Sequence, residues 1–146
     1  MKIRRSALLP FTTEQIFNLV ADIASYSEFL AWCKSSTILE SSNDEVVAEL
    51  GVRMAGFNIA FSTRNHLSPN ERIDMILANG PFKQLGGFWQ FQNLDENATK
   101  VSLEIEFEFD NVITQKLMAG KFKSIVSAQL DAFEQRAHFV YGASDA

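Results

Sequence analysis

Two histidines, one cysteine and a row of carboxylates are the residues of this chain whose chemistry could bind a metal or run a reaction. His66 and His138 each lack a His, Cys or carboxylate partner at metal-ligand spacing, and a metal site needs three or four donors. His66, between Asn65 and Leu67, falls on the polar phase of its segment and reads as a solvated imidazole. Glu104, Glu106 and Glu108 alternate along one segment. Neighbouring carboxylates can serve acid–base catalysis. Period two instead puts all three on one solvated strand face, opposing basic side chains such as Arg64 or Arg72 on other strands. Cys33 is the sole cysteine. That excludes an internal disulfide and makes a reducing cytoplasm the default compartment; a lone cysteine reads as a small buried hydrophobe. Residues 80–87 are glycine-rich but lack the Gly-Lys-Ser/Thr ending of a phosphate loop. No Gly-x-Ser-x-Gly elbow occurs. The expectation is no catalysis, no metal and no required cofactor.

What the chain does have is apolar patterning. Residues 100–110 alternate almost perfectly: Val101, Leu103, Ile105, Phe107 and Phe109 share one phase, and Ser102, Glu104, Glu106, Glu108 and Asp110 the other. Such a strand has one dry and one wet face, and something must cover the dry one. The cover follows at once. Asp110 or Asn111 can cap a helix whose stripe runs Met118, Phe122, Ile125, Phe133, Val140 at i+3/i+4 spacings. Unbroken to Tyr141 it would be ~46 Å long. Gly120 inside it predicts a bend or a close backbone approach.

Upstream, residues 2–9 read as a first strand with Ile3, Ala7 and Leu9 in phase, ended by Pro10. Thr12 with Gln15 fits a capping box, with Phe11 and Ile16 as its hydrophobic staple. Ile16, Phe17 and Val20 make a short helix to about Ala21, and Tyr26, Phe29, Leu30 and Trp32 predict another over 25–32. From residue 35 the period is two. Val46–Val52, Phe57–Phe61, Ile73–Leu77 and Trp89–Phe91 mark strands, with turns at Met54-Ala55-Gly56 and Ser68-Pro69-Asn70. The order β-α-α-β-β-β-β-β-β-α is an α+β helix-grip arrangement: a curved seven-stranded antiparallel sheet around one long C-terminal helix, over residues 1–146 as one domain.

Of the 17 aromatic residues 13 are Phe, and rings in such number either pack a core or line a pocket for flat or greasy ligands. Phe57, Ile59, Phe61, Met75, Leu77, Trp89, Phe91 and Phe107 share dry phases, and Met118, Phe122, Ile125 and Phe133 face them from the helix. That is more apolar surface than one helix covers. It predicts an apolar cavity opening near Phe82 and Trp32, where Phe82 and Leu85 either plug the core or gate the mouth. Thr63 and Asn65, in phase with Phe61, either hydrogen-bond a polar head group or satisfy the strand end. A net charge of −5 argues against DNA or nonspecific nucleic-acid binding, which needs a basic surface. No apolar run is long enough to span a membrane, so at most transient membrane contact is expected.

Several stretches, in order, resemble one family. They are Phe17-Asn-Leu-Val-Ala-Asp22, Tyr26-Ser-Glu-Phe-Leu-Ala-Trp-Cys33, Thr63-Arg-Asn65, Gly80-Pro-Phe82 with Leu85 and Gly87, Trp89 with Phe91, Phe107-Glu-Phe109, and Ala132-Phe-Glu-Gln-Arg-Ala137 with Val140-Tyr-Gly142. From about residue 2 to 142 the chain resembles the START-like coenzyme Q-binding family, especially its bacterial branch of ribosome association toxins. Ser27 and Ala31 stand where that signature commonly has prolines, which should leave the second helix less rigidly held. The resemblance implies a non-catalytic carrier that binds ubiquinone or a similar lipid in its cavity and supports respiration. As the alternative, it implies a toxin that binds the large ribosomal subunit and blocks its joining to the small one. Polyketide cyclases among more distant relatives make an enzyme the third reading.

Overall fold

Alternation at period two becomes seven strands in the computed structural model of the chain, which describes residues 1–54 and 56–142. They are β1 (Lys2–Leu9), β2 (Cys33–Ser41), β3 (Glu45–Met54), β4 (Phe57–Ser68), β5 (Arg72–Asn79), β6 (Phe82–Asp95) and β7 (Ala98–Phe109). Helix α1 spans Thr13–Ala21, and a 3₁₀ turn (Ile23–Ser25) leads into α2 (Tyr26–Phe29). Helices α3 (Val112–Ser127) and α4 (Gln129–Tyr141) end the described chain. The turn expected at Met54-Ala55-Gly56 includes Ala55, which lies outside the described residues, as do residues 143–146 of the expected domain.

The sheet order is β1-β7-β6-β5-β4-β3-β2, and every pairing is antiparallel. On β7 the alternation holds: Val101, Leu103, Ile105, Phe107 and Phe109 are buried and Glu106 is exposed. Ser102 is buried despite its outer phase, flanked in register by Ser6 and Gln90. The capping box is formed: Gln15 N–H donates to Thr12 Oγ1 at 3.1 Å, and Thr12 N–H to Gln15 Oε1 at 3.0 Å. At the start of α3, Asn111 Oδ1 accepts from the N–H groups of Ile113 and Thr114.

The structure corrects several expectations. Strand β2 carries almost no burial signal, because it is a sheet edge with bulges at Cys33/Ser35 and Ile38/Glu40. Helix α2 stops at Phe29, and Leu30 and Trp32 lie beyond it on extended and turn backbone. Its N–H at Ser27 donates to Ser36 Oγ at 3.3 Å, a bond no proline could make, and the same hydroxyl donates to Ala24 O. The glycine-rich stretch 80–87 is not a loop but strand from Phe82 onward. The long C-terminal helix bends at Ala128 rather than Gly120. Ala128 N–H reaches both Ser124 O (3.1 Å) and Ile125 O (3.2 Å), a 3₁₀-like tightening that separates α3 from α4. Val140 is exposed, off the buried stripe of Leu130, Phe133 and Ala137.

The acid row also finds other partners. Glu104 pairs with Lys2 and Arg4, and Glu108 with Lys83, whereas Arg64 pairs with Glu45 and Arg72 with Asp74. Sheet order explains this: β7 lies between β1 and β6, while Arg64 and Arg72 sit on β4 and β5. Arg4 is directly opposite Glu104 in the ladder.

Candidate functional site: an apolar cavity between sheet and helix

Two clusters of rings form where the final helices cross the sheet. At the α3 end, Phe122 meets Phe61, Phe82, Phe107 and Phe109 at centroid distances of 4.7–6.1 Å. At the α4 end, Phe133 meets Tyr26, Phe29 and Trp89 at 5.2–5.4 Å, and Phe91 bridges Trp89 to Phe17. These offset and edge-on pairs are favourable beyond their buried area. Members of both clusters wall a cavity of about 100 Å³, which the bend at Ala128 overlies through Ile125, Val126 and Gln129.

Of the residues expected to line it, Trp32, Phe61, Thr63, Asn65, Met75, Trp89, Phe122 and Ile125 do so. The other eight do not. Phe57, at the start of β4, is 53% exposed. Ile59 is only half-buried against the core edge. Leu77 borders a shallow depression with Lys83 and Gln84, in a gap left because the β5–β6 ladder stops at Ile76–Gly86. Phe82, Phe91, Phe107, Met118 and Phe133 are buried within the packed core, their rings or thioether consumed by neighbours. Phe82 is thus a plug: it stacks on Phe109 at 4.5 Å and takes no part in the cavity wall.

Pattern reading missed Val20, Ile23, Tyr26, Leu50, Leu85, Gly86, Leu103 and Gln129 among the lining residues. Gln129 had no signal, being a polar residue on a helix. Leu103 and Leu85 carried one: both sit on dry phases, in register with or next to Trp89 and Phe107.

The polar groups in the wall are few and mutually bonded. Thr63 Oγ1 donates to Asn65 Oδ1 at 3.2 Å, and Asn65 Nδ2 donates to Val46 O and Thr63 O at 3.3 and 3.4 Å. Asn65 is 1% exposed. The strand-end alternative therefore accounts for most of its bonding, leaving the Thr63 oxygen free to accept. Trp32 Nε1 donates to Gln129 Oε1 at 3.2 Å. Tyr26 donates to Val20 O. Burial, with the nearby charges of Asp22 and Cys33 second, pushes the Tyr26 phenol far above its ordinary value. Tyr26 is the one ionisable side chain among the described lining residues, so the wall offers hydrogen bonds and apolar surface but no acid–base pair.

The other chemistry-bearing residues lie elsewhere. His66 is near Asp44 and His138 near Glu134, both on the surface, and no cluster of three potential metal ligands occurs among the described residues. Cys33 is buried, which pushes its thiol up; its Sγ contacts Ser35 O at 3.3 Å. Among the described residues no helix is long and apolar enough to cross a membrane.

The chain is similar from end to end to named proteins. The ribosome association toxin RatA of Vibrio cholerae is 44% identical over 141 residues, covering 97% of this chain and 98% of that protein. RatA of Pseudomonas aeruginosa is 41% identical over 140 residues, covering 96% and 97%. A mitochondrial coenzyme Q-binding protein COQ10 homolog B of Xenopus laevis is 27% identical over 94% of this chain, which spans 58% of that protein. The fold is shared with the Zhui aromatase/cyclase of Streptomyces sp. R1128, at a TM-score of 0.89, 17% identity, and coverage of 100% and 98%. Residues 9–134 match a family described as polyketide cyclase / dehydrase and lipid transport. The curved antiparallel sheet, the final helix across it and this match agree: the chain belongs to that START-like family.

Proposed function

We propose that this chain is a RatA-type toxin that binds the large ribosomal subunit in the cytoplasm and blocks its joining to the small one. It does so without catalysing a reaction and without a cofactor. The observation that carries this reading is the 44% identity to a ribosome association toxin across 97% of the chain. The cavity weighs in the same direction. At about 100 Å³ it lies below the ~300–1,000 Å³ of sites that enclose drug-sized ligands, less than enclosing a long prenylated quinone requires. Non-catalysis is supported by the cavity wall, whose one ionisable group, Tyr26, already donates to a carbonyl. The test is a sucrose gradient of bacterial extract with and without added protein. Accumulation of separated subunits is expected; an unchanged ribosome profile would sink the reading.

A lipid-binding role is the second reading, favoured by one observation: an apolar cavity with an accepting oxygen at Thr63. Solvent extraction of protein purified from its native host, followed by mass spectrometry, separates the two. Stoichiometric quinone together with unchanged ribosome profiles would favour the carrier.

A further inference from the structure

The outer face of α3 differs in charge from the rest of the molecule. From residue 111 to 130 there is no Asp or Glu and there are three lysines, Lys116, Lys121 and Lys123. The chain's net charge is −5, so this stretch of +3 leaves −8 for the remainder. All three lysines are exposed, and none makes an ion pair among the described residues.

The geometry extends the basic stretch into a line. Lys116, Gly120, Lys123 and Ser127 follow at i, i+4, i+7 and i+11, which places them on one helix face. Ser127 Oγ accepts from Arg5 Nη2 of β1 at 3.1 Å, so a third cation continues the line past the end of α3. Lys121, five residues after Lys116, falls about 140° round the helix on its other flank. Lys116 to Ser127 spans roughly 16 Å at 1.5 Å per residue. Between the cations the surface at Gly120 is open: a Cβ built there would meet nothing within 4 Å, and Ser124 folds its hydroxyl back onto Gly120 O.

We infer that this face is where the chain meets the RNA phosphodiester backbone of the large ribosomal subunit, an inference that rests on the ribosome-binding reading above. Charge complementarity carries it. Spaced cations without ion-pair partners, set in one line, match a polyanion. A net acidic protein can dock on RNA in this way, because screening at physiological salt limits each charge to about 8 Å. An anionic lipid surface is the competing partner, since Val112, Ile113 and Leu117 are exposed at the same helix's start. Those three occupy only its first two turns, and the exposed face of α3 has no Trp, Tyr or Phe of the kind that seats a helix in a bilayer interface.

The experiment measures binding of the full chain to purified large ribosomal subunits between 50 and 200 mM salt. It compares the wild type with Arg5→Gln/Lys116→Gln/Lys123→Gln and with a charge-matched control, Lys34→Gln/Arg53→Gln/Lys100→Gln. Each phosphate contact contributes about 0.7–0.9 to the log–log salt slope. Removing three should flatten the slope by about 2–3 and erase roughly a 20- to 40-fold loss of affinity across that range, with the control unchanged. Circular dichroism checks that all variants are folded. A folded triple variant that binds with wild-type affinity and slope overturns the inference while leaving the ribosome reading intact. Wild type that does not bind large subunits overturns both. Vesicle binding (phosphatidylserine) that the triple variant loses, with subunit binding that it keeps, overturns it in favour of a lipid surface.

Discussion

Trp32 and Gln129, 97 positions apart, join through one hydrogen bond of 3.2 Å from the indole N–H to the amide oxygen. It ties the turn before β2 to the first residue of α4, immediately after the bend at Ala128, and both side chains face the cavity. The bond therefore ties the start of α4 to the segment before β2 across the cavity wall. Trp32→Phe should keep most of the apolar contact and leave Gln129 Oε1 without its donor. The expected cost is about 1 kcal/mol, or ~2–4 °C in Tm for a chain of this size. Thermal unfolding by circular dichroism reads it, and an unchanged Tm would mean that the bond is not made in solution.

Gly87 and Gly120 should respond to alanine with opposite signs. A Cβ at Gly87 would lie 1.9 Å from the Glu104 carbonyl oxygen on the neighbouring strand, which is backbone and cannot step aside. Gly87→Ala must therefore push β6 from β7, with an expected loss of at least 1–3 kcal/mol. Gly120 is exposed within α3 with open space around it, so Gly120→Ala should gain ~0.4–1 kcal/mol. Urea midpoints compare the two, and a shift in the same direction for both would contradict this steric account.

Fold class was legible because period-two alternation on β7 is a strong, one-sided pattern that needs a cover, and helix-spaced apolar residues follow it directly. Strand β2 was not, because an edge strand with two bulges buries little and so leaves no alternation to read. Phase also marked more residues than the cavity uses. Phe107 and Phe122 share a dry interface, yet Phe107 is sealed at 0% exposure by its neighbours and only Phe122 reaches the void. Phase says which side of a sheet a residue faces; which inward residues touch empty space depends on how the rings interlock. The bend at Ala128 was hidden for a related reason, since it is set by backbone bonding at an alanine and not by a helix breaker.

Asn65 is almost fully buried and spends its amide on Val46 O, Thr63 O and the Thr63 hydroxyl. Asn65→Ala would strand these partners in an apolar wall and should cost about 1–3 kcal/mol. The double variant Asn65→Ala/Thr63→Val should lose less than the two single losses combined, because the pair shares one bond. Chemical denaturation of the four proteins completes the cycle, and strict additivity would argue against the Thr63–Asn65 bond.

Tyr26 predicts how stability falls at high pH. Its phenol is fully buried, donates to Val20 O, and is held far above its ordinary value of 10.0 by burial first and the charge of Asp22 second. In the unfolded chain it ionises near pH 10, while in the folded chain it keeps its proton. Above that pH the unfolded state binds fewer protons than the native one, so stability must decrease as pH rises. Its contribution is fully present below pH 10 and declines above it by up to about 1.4 kcal/mol per pH unit. Cys33 and Tyr141, also shifted upward chiefly by burial, add to the fall in the same direction. Urea unfolding at pH 8, 9, 10 and 11 should show a flat region followed by a decline. Tyr26→Phe should be less stable at pH 8, having lost the bond to Val20, yet decline less steeply above pH 10. Parallel alkaline slopes for wild type and Tyr26→Phe would show that the phenol reaches solvent in the folded protein.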